Sequence, residues 1–237
     1  MTTAAAIATH VAETSSLSTA GTELARIYEW MNAGYKEAVL ETGCLVGLLS
    51  PVTLTSGTND YQVSAAPISL TDIMRFKELY VNGGGAINLP LKAVDPARIL
   101  GRRRSGGAGA ISGAPVEYST EGLNLLMFWP TPSSGVTLAG YYVKRPPTLV
   151  ASAPGAGEEA TPTAFGSEFH EAIIENYALY RAFTYRGMGK RAQDHFTLYQ
   201  AAIQRLIGQV EEFRSATASP VRVVRNGQSN RRYPDVG

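Results

Sequence analysis

The chain of 237 residues has little of the chemistry on which most enzymes and metal sites depend. It holds one cysteine, Cys44, which excludes an intramolecular disulfide and favours a reducing compartment. Its three histidines, His10, His170 and His195, are far apart in the sequence, so none of them belongs to a cluster at metal-ligand spacing. We therefore expect neither a metal ion nor another cofactor.

The sequence also lacks a long hydrophobic run and a strong charge of either sign. Residues 1–12 have no basic flank and are interrupted by polar residues, which predicts neither a secretion signal nor a membrane span. A net charge of +1 argues against a dedicated nucleic-acid binder, because such a protein needs a basic face to neutralise phosphates. The hydrophobic content of 44% suffices for the core of one large domain, or of a domain with an insertion.

No catalytic motif has the spacing that its chemistry requires. Glu168, Glu171 and Glu175 share a helical face. One interpretation is that two of these carboxylates form the acid/base pair of an enzyme such as a peptidoglycan hydrolase. A solvated face that complements the helix dipole is the favoured one. The glycine-rich stretches 83–85 and 106–113 lack the Gly-Lys-Ser/Thr ending of a phosphate loop. Cys44 follows a helix end, where the dipole disfavours a thiolate, so we expect an unreactive thiol. Because no catalytic group of residues is left, we do not expect an enzyme.

Helical periodicity occupies both ends of the chain. Apolar residues recur at helical spacing within Ser18–Thr42 and predict one long helix there. Two further helices, Ser167–Arg186 and Lys190–Arg214, are joined by a glycine-containing turn and therefore form an antiparallel hairpin. We expect residues 18–50 and 165–214 to form a helical core, preceded by a flexible leader over residues 1–17.

The middle of the chain has the signals of an antiparallel sheet. Segments 52–54 and 61–63 flank a turn and predict a hairpin, and a strand follows over Ile73–Val81. Asp95 and Pro96 predict the start of a short helix that runs to about Leu100.

Three more strands are expected, and the last two are predicted to form a second hairpin across the turn at 130–135. They cover residues 115–118, 123–129 and 136–143. The predicted fold class is thus α+β, in which an antiparallel β-rich side domain, residues 51–148, is inserted into the helical core. Residues 149–164 are rich in proline and glycine, and we interpret them as a linker.

Two features within the predicted body suggest contacts with other molecules. Trp30 lies off the apolar stripe of the first helix, so it either packs against another element or contacts a neighbouring subunit. Arg102, Arg103 and Arg104 precede a glycine-rich stretch and predict a mobile basic loop. Such a loop is either solvated, or contacts an acidic surface of another subunit or DNA phosphates.

The C-terminal residues 215–237 predict an extended arm. From Pro220 onward the segment carries four arginines against the single acid Asp235, which leaves the rest of the chain at about −2. With so few apolar side chains the segment cannot bury enough surface to fold alone, so we expect it to become ordered on a partner.

The order of these elements and several local phrases resemble the head-to-tail adaptor, or connector, proteins of tailed bacteriophages. The resemblance runs from about residue 18 to about residue 213. The phrases that carry it are Leu24–Tyr35, Gly113–Tyr118, Leu123–Leu125, Phe128–Pro132, Leu138–Tyr142, Arg145–Pro147 and Phe165–Tyr180.

The resemblance implies a structural virion protein of the neck or tail region, assembled in the host cytoplasm. Members of this family form twelve-fold rings that dock on the portal protein, offer a platform to tail or nozzle proteins, and surround DNA that only passes through the channel. Their C-terminal extensions reach along the portal. In this chain the portal-binding residues are then expected in the arm: Arg222, Arg225, Arg231, Arg232 and Tyr233.

Two other functions stay open at this level. One is another ring component of the tail or nozzle. The other is a carbohydrate-binding surface module that uses Trp129, Tyr141 and Tyr142 as an aromatic platform.

Overall fold

The computed structural model describes residues 3–83, 89–105, 111–122, 124–150 and 169–217. Within them the chain has the predicted α+β architecture, in which helices lie at both ends and strands in the middle. The helices are α1 (Ala4–Ser15), α2 (Gly21–Thr42), α3 (Pro96–Ser105), α4 (Asn176–Tyr185) and α5 (Gly189–Thr217), and a π-helical turn, His170–Glu175, leads into α4.

The strands of the described residues form two larger sheets and one small one. They are β1 (Val46–Thr53), β2 (Asp60–Gln62), β3 (Ile73–Gly83), β4 (Leu89–Pro90), β5 (Lys92–Ala93), β6 (Ser112–Gly113), β7 (Glu117–Glu121), β8 (Leu125–Trp129), β9 (Thr131–Pro132) and β10 (Val136–Lys144). The first sheet has the strand order β1-β10-β3-β4, the second has β2-β8-β7-β5, and β6 pairs with β9.

The prediction of a flexible leader over residues 1–17 is wrong, because most of this segment forms helix α1. The Thr3 hydroxyl accepts a hydrogen bond from the Ala6 N–H at 3.2 Å and so caps the first turn. Ile7 and Val11, four residues apart, are fully buried against the other helices, and each contributes roughly 2 kcal/mol by the area that it removes from water. Alanine-rich composition and this apolar spacing outweigh the interspersed threonines.

Helices α1, α2, α4 and α5 enclose one hydrophobic cluster. The approach of α2 to α4 is close because position 34 is glycine: a Cβ atom there would lie 2.6 Å from Cγ of Tyr177. The turn between α4 and α5 lies where it was expected, and Gly187 takes a φ of +72° that glycine adopts without strain.

A second cluster lies between the two four-stranded sheets. Both predicted hairpins are wrong, since β1 and β10 belong to the first sheet whereas β2 and β8 belong to the second. The chain crosses between sheets at residues 54–59 and again at 130–135. Each crossing lets both sheets bury one face in a shared core, which a local hairpin would not do.

Candidate interaction surfaces

The arginine run that was predicted as a mobile loop forms the last turn of α3 instead. Asp95 caps this helix, as its sequence predicts, by accepting a hydrogen bond from the Ala97 N–H at 2.8 Å. Ile99 is fully buried and faces the second sheet, so α3 is held as a covering helix. Three cations at its C-terminal end also complement the helix dipole.

The Arg103 side chain makes its polar contacts within the chain. Its guanidinium donates to the carboxylate of Asp60 at 2.7 and 3.2 Å. It also donates to the backbone carbonyls of Asn59 and Phe128, at 3.3 and 3.2 Å. The fork of one arginine thus connects the end of α3 to strands β2 and β8 of the second sheet.

The Arg102 side chain likewise contacts residues of the second sheet. Its guanidinium lies 3.3 Å from the carboxylate of Glu117 and stacks over the Trp129 ring at 4.3 Å from the ring centroid. Arg98 donates to the same Glu117 oxygen at 2.8 Å. Glu117 is only 5% exposed, and a carboxylate so buried requires partners of this kind. Of the three consecutive arginines only Arg104 remains exposed without an ion pair to any described residue.

Trp30 lies almost entirely inside the chain. It is 9% exposed and packs against Tyr185 of α4, with ring centroids 6.0 Å apart. Arg26 covers the same tyrosine ring at 4.6 Å. The geometry therefore supports the packing interpretation of Trp30 and leaves little of its ring for a neighbouring subunit.

The aromatic platform required for carbohydrate binding is not assembled. Tyr142 is 6% exposed, and its hydroxyl donates to Asp72 at 3.0 Å. Tyr141 is 44% exposed and lies on the opposite face of β10. Trp129 belongs to the other sheet, under Arg102. Three rings that lie on three different surfaces do not form one stacking surface for a sugar.

An exposed apolar face of the first sheet was missed by the sequence reasoning. Leu48 on β1 is 64% exposed and lies directly opposite Tyr141 on β10. Val46, two residues earlier on the same strand, is 46% exposed. Residues 46–49 are a short run of apolar residues and glycine without apolar/polar alternation, so the sequence does not indicate which side chains face outward, and β1 begins before the predicted strand at 52–54.

The acidic face at the start of α4 has one member whose side chain the structure describes. Glu175 lies 3.2 Å from Nε2 of His10 on α1, so it contacts another helix rather than an open cleft.

The surroundings of Cys44 agree with the prediction of an unreactive thiol. Burial is the main cause that raises the pKa of this thiol, and Cys44 forms no disulfide.

A group of polar residues lies where α2 meets α4 and α5. Tyr199 is 2% exposed, its ring contacts that of Tyr177 with centroids 5.1 Å apart, and its hydroxyl has no hydrogen-bond partner among the described residues. Burial raises the pKa of Tyr199, and the nearby carboxylates of Glu37 and Glu41 raise it further. The pKa of Glu41 is itself raised by burial and by Glu37.

Neither a metal centre nor a membrane helix is found in the part of the chain that the structure covers. No three His, Cys, Asp or Glu side chains converge there as metal ligands. None of its helices combines the length and the apolarity needed to cross a bilayer.

A family model supplies the deciding comparison. The model of the SU10 adaptor protein matches residues 2–224, which is nearly the whole chain. The chain belongs to the SU10 adaptor protein family. No curated protein matches it significantly.

Membership in the SU10 adaptor family confirms the resemblance found in the sequence. The match includes every helix and strand described above and extends to residue 224. The chain is accordingly a structural adaptor protein of a bacteriophage virion. The arm residues Arg222, Arg225, Arg231, Arg232 and Tyr233 lie outside the described residues of this SU10 adaptor.

Proposed function

We propose that this adaptor forms a twelve-subunit ring that joins the portal to the tail or nozzle and continues the DNA channel. The ring assembles in the host cytoplasm and is incorporated at the neck of the virion. Its partners are further copies of itself, the portal protein and the tail or nozzle proteins, while DNA only passes through. It needs no cofactor or membrane and catalyses no reaction.

The observation that carries this proposal is the family match over residues 2–224. The fold supports it physically, because a ring subunit must hold a fixed angle between its two neighbours. In this chain the first sheet packs directly on the helices. Met74 and Val143 of the first sheet are buried in the helical cluster, and the Lys77 amine donates to the carbonyl of Gly43 at 3.2 Å.

The surface supports the same proposal. Leu48 and Tyr141 give the first sheet an exposed apolar area, and apolar areas of this type mark contacts with other proteins. A ring repeats each such contact at every subunit, so moderate affinities combine into a stable assembly.

In this proposal the basic arm fastens the ring to the portal. Arginine suits the role because its planar fork binds carboxylates in pairs. The four arginines of residues 220–237 offer several such contacts per subunit, and these are multiplied around the ring.

Deletion of residues 218–237 tests the role of the arm, because the truncated chain keeps every described helix and strand. We expect its thermal unfolding to match that of the full chain, while binding to purified portal weakens by at least about 100-fold through loss of multivalency. A second variant, in which Arg222, Arg225, Arg231 and Arg232 are replaced by lysine, keeps the charge and separates paired recognition from simple attraction.

Equal portal binding by the full and the truncated chain would contradict the role of the arm. Limited proteolysis gives an independent readout: the arm should be cut rapidly in the free subunit and be protected once bound to the portal. A ring that binds only tail or nozzle proteins, and never the portal, would favour the alternative of another ring component.

A further inference from the structure

One face of α2 presents acidic side chains beside an exposed leucine. Glu37, Leu40 and Glu41 lie three and four residues apart, so they share a face of the helix. Leu40 is 41% exposed and Glu41 is exposed. We call these three residues the acidic patch.

The carboxylates of Glu37 and Glu41 in this acidic patch are near enough to the buried Tyr199 hydroxyl to raise its pKa. This hydroxyl has no acceptor among the described residues, so its hydrogen bonding there is incomplete. Two cations are near: Arg181 approaches the hydroxyl of Tyr177, and Lys36 precedes Glu37 in the chain. Neither forms an ion pair with Glu41, which has no such partner among the described residues.

The exposed end of α3 has the opposite charge and the same kind of apolar neighbour. Leu100 is 40% exposed, and Arg104 lies four residues later on the same face of the helix. Arg98, Arg102 and Arg103 each pair with a carboxylate of the second sheet, whereas Arg104 is exposed and has no ion pair with a described residue. We call Leu100 and Arg104 the basic patch.

We propose that the acidic patch of one subunit binds the basic patch of a second copy of this chain, so that the guanidinium of Arg104 contacts the carboxylate of Glu41. This contact rests on the proposed ring, and it identifies a pair of surfaces that joins neighbouring subunits. Each patch joins a leucine to charge of one sign, so the two are complementary in both respects. In a ring the acidic patch of each subunit meets the basic patch of the next subunit, which is a heterologous contact repeated at every junction.

Two charge reversals test the contact in the full-length chain. In Glu41→Arg and in Arg104→Glu every junction between identical subunits brings like charges together. We expect each variant alone to need at least about tenfold more protein than the unaltered chain to form rings on purified portal. In an equal mixture, positions 41 and 104 carry opposite charges at every junction between one variant and the other. The mixture should therefore form rings of normal mass with alternating subunits.

Native mass spectrometry reads out both ring mass and alternation, because the two variants differ in mass. Glu29→Arg on α2 and Lys190→Glu on α5 serve as matched controls, since both are exposed charges outside the patches. All these side chains are exposed, and the melting temperature of each free subunit should stay unchanged, which excludes misfolding as the cause.

Three outcomes are distinguishable. Normal rings from either single variant would overturn the contact and leave the proposed function standing. Failure of the mixture to form rings would also overturn the contact, because the mixture restores opposite charges at every junction. Absence of rings from the unaltered chain on portal would instead overturn the proposed function itself, and the contact with it.

Discussion

Asn32 and Leu149 hold each other through two hydrogen bonds of 2.7 Å. The side-chain amide of Asn32 on α2 donates to the carbonyl of Leu149, and the Leu149 N–H donates to the amide oxygen of Asn32. Leu149 is 1% exposed and belongs to the helical cluster. The chain that leaves β10 therefore returns to the helices through this pair, which fixes the first sheet relative to α2.

Replacement of Asn32 by alanine should lower the free energy of unfolding by about 2 kcal/mol, because both backbone groups of the buried Leu149 lose their partner. Urea denaturation measures the change. Gln200→Ala, an exposed amide on α5, is the control and should change the stability by less than about 0.5 kcal/mol. A similarly small effect at position 32 would show that the pair does not stabilise the junction.

Gly34→Ala should destabilise the protein although alanine favours helix. The new methyl group would lie 2.6–2.7 Å from Cβ, Cγ and Cδ1 of Tyr177, atoms near the backbone that cannot move aside cheaply. We expect a loss of about 1–3 kcal/mol. Gly208→Ala on α5, where nothing lies within 4 Å, should instead stabilise by up to about 1 kcal/mol. Thermal melts of the two variants that shift in the same direction would contradict the close packing of α2 on α4.

Glu117→Ala should loosen α3 from the second sheet. It removes the shared acceptor of Arg98 and Arg102, and the loss should be about 2 kcal/mol. Amide hydrogen exchange should accelerate over residues 96–105 more than in α2. Glu121→Ala, an exposed acid on the same strand, should leave exchange in α3 unchanged. Uniform acceleration across all helices would mean that Glu117 acts on global stability alone.

Cys44 should react slowly with a thiol reagent in the folded chain. Burial raises the pKa of its thiol, so at pH 8 a smaller fraction is thiolate than in the urea-unfolded chain. Because the pKa of the Cys44 thiol is higher in the folded state, the thiol makes its whole contribution to the free energy of unfolding below its ordinary pKa. That contribution is lost as the pH rises through the raised pKa. Alkylation rates of the folded and unfolded chains over pH 7–10 measure this, with Cys44→Ser as the blank. Equal rates at pH 8 would contradict it.

The elements that the sequence predicted well are those whose signal is local. Helices α2, α4 and α5, the cap at Asp95 and the turn at Gly187 each depend on neighbours within a few residues. Helix α1 was missed because its stripe is built largely of alanine, which a search for bulky apolar residues undervalues. It packs on the neighbouring α2 and on α4 and the π-helical turn near the other end of the chain, so its stability depends on tertiary contacts.

The strand pairings were wrong because turn residues do not encode which sheet the next strand joins. The pairing of β1 with β10, and of β2 with β8, is decided by contacts between residues far apart in sequence. The prediction of a mobile loop at Arg102–Arg104 was wrong for the same reason. A run of three cations predicts a solvated loop, and only the folded chain brings Asp60 and Glu117 within reach of two of them. Arg104 is the residue for which the expectation of an exposed cation was right.

The most direct test of the whole account is an electron micrograph of the purified chain mixed with its portal protein. The account predicts closed rings of twelve subunits stacked coaxially on the portal, with an open central channel wide enough for DNA. A chain that stays monomeric at every ratio to the portal, and adds no density to it, would contradict the account.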